Sequence, residues 1–69
     1  MSKSGAVTRK AKITTLGLAG SFSGVDYINV GCQTVETPQQ FGFNIVLSRD
    51  EVKRLGVTIG DFLAITVNP

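Results

Sequence analysis

Between Phe41 and Val67 the apolar positions change period twice, and the changes mark out the elements. Phe41, Phe43, Ile45 and Leu47 recur at every second residue, opposite Gly42, Asn44 and Val46, which predicts a strand with one buried face. Ser48 and Glu51 then stand at the two positions of a capping box, and Leu47 and Val52 at those of a hydrophobic staple. Asp50 and Glu51 precede Lys53 and Arg54, the order that suits a helix dipole. Gly56 stands where a left-handed C-cap belongs. A helix over Ser48–Leu55 follows, with Val52 and Leu55 as its apolar side. At about two turns it cannot hold itself together in water, so it reads as a plug over the open end of a sheet. Thr58–Asp61 predicts a turn with Gly60 at positive φ. Phe62–Val67 predicts a closing strand, with Leu63, Ile65 and Val67 on one face and Phe62, Ala64 and Thr66 on the other.

Upstream, Ala6–Leu18 reads as a long first strand. Val7, Ala11 and Ile13 share a face with Arg9, and Lys10 and Lys12 take the opposite one. The apolar parity switches to Leu16 and Leu18 after Thr14-Thr15, the signature of a bulge or sharp bend. Residues Gly17–Gly24 read as a glycine- and serine-rich hairpin loop carrying Phe22. Tyr27–Val35 alternates most cleanly, with Ile28, Val30 and Cys32 against Tyr27, Asn29, Gly31 and Gln33. Glu36–Gln40 is a loop in which Pro38 stops the strand. The expectation is therefore a short tail, 1–5, followed by a single all-β domain, 6–69. Its order, β-β-β-α-β, is that of a small OB-like barrel.

Within the closing unit, Val52-Lys53-Arg54-Leu55-Gly56-Val57-Thr58-Ile59-Gly60-Asp61 is flanked by strands on both sides. Across about residues 43–67 it resembles the V-x-x-L-G-[IV]-x-x-G-D segment of two families. One is the molbindin/TOBE group of OB-like barrels; the other is the AbrB-type swapped-hairpin regulators. The first resemblance implies an oxyanion-binding barrel, the second a dimeric DNA-binding protein. Ala6–Lys10 stands where the TOBE family opens with Ser-Ala-Arg-Asn.

Composition narrows the chemistry. Sixty-nine residues make one small core, which a chain of this size often completes by pairing with a second copy. A homo-oligomer, with a dimer favoured, is expected. One cysteine leaves no internal disulfide, and without histidine the chain cannot assemble a zinc site or a nucleophile–histidine pair. No cofactor and no enzymatic activity are expected. No apolar run approaches a bilayer span and no signal-peptide core follows Lys3, so a soluble, cytoplasmic protein without membrane contact is expected.

Charge supplies the functional reading. The net charge is +2, and the excess lies entirely in Lys3, Arg9, Lys10 and Lys12. Such a cluster can neutralise a phosphate backbone without reading its sequence. Tyr27, beside Asn29 and Gln33 on the polar side of its strand, can serve as a stacking platform, with Phe22 as a second stacking residue. A non-enzymatic nucleic-acid-binding module preferring single strands is the expectation, with Lys3, Arg9, Lys10, Lys12, Phe22, Tyr27, Asn29 and Gln33 as its site. Two alternatives stay open. One is a TOBE-like oxyanion barrel using backbone amides of the glycine loop. The other is a small interaction or regulatory protein that docks through a strand edge. Phe41 and Phe43 fall on the core parity, and Cys32 reads as a small buried hydrophobe.

Overall fold

The computed structural model describes residues 5–68; Lys3 lies outside them. Four antiparallel strands form one sheet in the order β3-β2-β1-β4. The strands are β1 (Val7–Phe22), β2 (Val25–Thr34), β3 (Gly42–Ser48) and β4 (Phe62–Val67), with α1 (Arg49–Leu55) between β3 and β4. The mainly β architecture matches the alternation in the sequence. Closure does not: β3 and β4 lie at opposite edges and do not pair, so the sheet is open and no barrel forms.

Two bulges shape the long first strand. The β1–β2 register shifts between Ile13 and Thr15 and again between Leu18 and Gly20. The first lies where the apolar parity switches, so Ile13 and Leu16 end on the same side of the sheet. The expected glycine loop is corrected. Strand β1 continues through Gly17 and Gly20 to Phe22, leaving only Ser23 and Gly24 as a two-residue turn. Both turn residues have positive φ, 52° and 76°, the geometry whose twist matches a two-residue hairpin.

The helix forms as its sequence dictates. The Ser48 hydroxyl accepts the Glu51 amide at 3.2 Å and the Glu51 carboxylate accepts the Ser48 amide at 2.8 Å. Gly56 closes the helix at φ 64°, its N–H donating to the Val52 carbonyl. The chain then turns, with the Asp61 carboxylate accepting the Thr58 amide at 2.8 Å. Around the first bulge, Gly60 N–H donates to the Ile13 carbonyl and Ile13 N–H to the Asp61 carbonyl. This clamp aligns β4 against the first part of β1, from Val7↔Val67 to Lys12↔Phe62.

Cross-strand pairs show which side chains share a face. Ala11, Ile13, Val30 and Cys32 are buried on one side, with Leu16, Ile28, Phe43, Ile45, Leu47, Val57 and Leu63 packed around them. Helix α1 contacts β2 and β3, and it covers the hairpin half of this apolar face. There the Asp26 carboxylate accepts Ser21 Oγ and Arg49, pinning the hairpin to the start of the helix. No residue of α1 is itself buried, so the plug lies loosely on the sheet. Among the described residues no helix is long and apolar enough to cross a membrane.

Candidate nucleic-acid interface

The opposite face is polar with aromatic ends, and the register orders it in rows. Gly42, Gln33, Lys12 and Phe62 form one row across all four strands, through the pairs Gln33↔Gly42, Lys12↔Gln33 and Lys12↔Phe62. Asn44, Gly31 and Thr15 form the next, then Val46, Asn29 and Gly17, then Ser48, Tyr27 and Gly20. Phe22 and Val25 pair at the hairpin end, two residues beyond Tyr27 on the same parity. From Gln33 to Tyr27 is six residues, a span of about 20 Å along the strand.

Phe62 is the residue that sequence reasoning missed. Its ring is half exposed, at 51%, and Lys10 places its ammonium 4.5 Å from the ring centroid. That pair is a cation–π contact, worth about 0.5–1 kcal/mol at an exposed site. The signal was present in the alternation of β4, where Phe62 falls opposite Leu63, Ile65 and Val67. An aromatic on the polar parity of a strand that adjoins a lysine strand is the feature to look for.

Lys10, Lys12, Asn29, Gln33, Tyr27 and Phe22 therefore share one face. Arg9 does not: it pairs with Ile65 on the apolar side and donates to the Thr8 carbonyl at 3.1 Å. Among the described residues, Lys10 and Lys12 are the predicted site cations that lie on this face. Among the described residues, no acidic residue of a strand shares their parity, because Asp26 turns to the helix side. Glu36 is the nearby acid, its carboxylate accepting the Lys10 amide at 2.6 Å beyond the end of β2. It supplies the ladder bond that β2 no longer offers.

A close approach fixes the centre of the face. A Cβ at Gly31 would collide with the Thr15 hydroxyl, so glycine lets Thr15 lie across the strand. At the hairpin, the positive-φ turn sits beside the Asp26 carboxylate. Asp26 is held below the usual carboxylate range, first by the Ser21 hydrogen bond and then by Arg49. It stays ionised there and works against anion capture by the turn amides.

Cys32 is buried, and burial raises its thiol above the ordinary value. No group of three or more His, Cys, Asp or Glu side chains that could hold a metal ion occurs among the described residues. No protein family, characterised protein or solved structure matches this chain.

Proposed function

We propose that the chain is a non-enzymatic binding module whose polar sheet face takes single-stranded nucleic acid. The observation that carries this reading is the row Gln33–Lys12–Phe62 together with Lys10 over the Phe62 ring. It sets an aromatic face, two cations and an amide side by side on a surface otherwise made of small, amide and aliphatic side chains, Val46 among the last. A strand of nucleic acid lying along β2 and β1 would meet Phe62 at one end and Tyr27 and Phe22 at the other. The separation of about 20 Å suits a few extended nucleotides. Bases would stack on the rings, Lys10 and Lys12 would meet phosphates, and Asn29, Gln33 and Asn44 would offer hydrogen bonds to base edges. A duplex is a poorer fit, since stacking needs unpaired bases and a flat sheet enters neither groove. On this reading the element order is that of an OB-like module opened along its β3 and β4 edges.

A second reading has its own observation. Strand β4 (Phe-Leu-Ala-Ile-Thr-Val) is an edge with neither charge nor proline, whereas edges are ordinarily blunted by both. Such an edge suits a peptide that adds as a fifth strand.

Titration of a fluorescent single-stranded oligonucleotide with the protein in low salt tests the first reading. The expected result is saturable binding that weakens as salt is added, with a duplex of the same length bound less well. Absence of binding in low salt would reject it.

A further inference from the structure

The apolar face is only half covered, and the uncovered half is a defined surface. Beyond the reach of α1, Val7, Ala11, Thr34, Phe43, Ile65 and Val67 line an open trough of about 220 Å³, with Arg9 at its rim. Val7 and Val67 pair across β1 and β4 and form the lip, 53% and 67% exposed. Ala11, at 1%, is part of the floor. Arg9 and Lys10 both border the trough, and the Arg9 stem can cover apolar surface while its guanidinium stays in water.

We propose that a second copy of this chain covers the trough, apolar face against apolar face about a two-fold axis. The folding requirement selects that occupant. Ile13 and Val30 are the largest fully buried side chains, a small core for ordering some sixty residues. The accessible surface is 5092 Å². That is several hundred Å² above the roughly 4,200 Å² expected of a folded monomer of 7.3 kDa. A deficit built into every copy needs a partner present wherever the chain is made, and another copy meets that need. The shape is also self-complementary: the Val7–Val67 lip of one sheet can seat in the trough of the other, at the roughly 10 Å spacing of packed sheets. Both polar faces then point outward.

Sedimentation equilibrium over a wide concentration range, with thermal melts across the same range, tests this. The expected mass is twice 7.3 kDa, with a melting midpoint that rises with concentration. Val67→Asp and Thr66→Asp locate the interface, because the two positions adjoin on β4 and point to opposite faces. Val67→Asp should weaken self-association at least about 100-fold by placing a carboxylate in the apolar contact. Thr66→Asp should leave the mass unchanged. A wild-type chain of monomer mass with a concentration-independent midpoint would overturn the proposal. So would a mass other than the dimer's. Equal disruption by both variants would assign the contact to the β4 edge, and no disruption by either would place it elsewhere; both results overturn it. If Val67→Asp fails to fold, the wild-type mass and the concentration dependence of its midpoint still decide the matter.

Discussion

Lys10 and Phe62 sit on adjacent strands, two residues out of register, with the lysine ammonium 4.5 Å from the centre of the phenyl ring. Their partners in the ladder are Ala64 and Lys12, so the contact is diagonal. A small residue at position 64 leaves the room for it. The arrangement holds a cation and an aromatic face together on the surface where a base and its phosphate would lie.

Replacing Phe62 by alanine should weaken binding of a single strand by about 1–3 kcal/mol, the usual range for one stacked base. Stability should fall much less, because the ring is half exposed. Anisotropy titrations and chemical denaturation of the same variant separate the two effects. Equal losses in both would show Phe62 to be structural only.

The electrostatic share is testable separately. Each phosphate neutralised by a lysine contributes about −0.7 to the slope of log K against log salt for a single strand. Lys10→Ala and Lys12→Ala should each remove about 0.7 from the magnitude of that slope. Arg9→Ala, on the opposite face, should leave the slope unchanged. A larger effect from Arg9 than from either lysine would place the phosphate path elsewhere.

The helix cap and the hairpin clasp make stability depend on pH in a predictable direction. Glu51 is held below its ordinary value of 4.5 by the Ser48 backbone and then side-chain hydrogen bonds, and Asp26 below 3.8 by Ser21 and then Arg49. In both, the unfolded chain takes up protons more readily than the folded one. Their contribution is therefore complete above these ordinary values. It is lost as pH falls through them toward the lower folded-state values. Denaturation midpoints measured between neutral pH and pH 2 should fall on the acid side, and the fall should shrink in an Asp26→Asn, Glu51→Gln double variant. Ser48→Ala should cost about 1 kcal/mol at neutral pH through loss of the N-cap.

Much of the fold could be read directly from residue order where local chemistry governs. Ser48, Glu51 and Gly56 specify the helix ends because caps satisfy backbone groups within a few residues. The Thr14-Thr15 parity switch marks a bulge because sidedness in a strand has period two. The hairpin was less legible. Gly17, Gly20 and Ser21 are turn-forming residues in isolation, yet pairing with Val25–Asn29 holds them in the strand. Closure was illegible, since whether β3 meets β4 depends on twist and length summed over the whole sheet. On the polar face, Tyr27, Asn29, Gln33, Lys10 and Lys12 fell together because each lies on a clean alternation. Phe62 is hard to single out from sequence, because neither face of Phe62–Val67 is strongly polar and both read as covered.

Burial of Cys32, at 3% exposure, and its raised thiol pKa predict slow labelling by a thiol reagent in native buffer. Rapid labelling should appear on addition of denaturant, because the thiolate is the reactive form. Fast labelling without denaturant would mean that the β1–β2 core opens readily.

The central claim, that the polar face is the binding face, is tested most directly by nuclear magnetic resonance of side-chain groups during titration with an unlabelled single-stranded oligonucleotide. The side-chain amides of Asn29, Gln33 and Asn44 report one face, and the methyl groups of Val7, Ile65 and Val67 report the other. Saturable shifts of the three amides with the methyl signals unmoved are predicted. Shifts confined to the methyl groups, or none at all at saturating oligonucleotide, would contradict it.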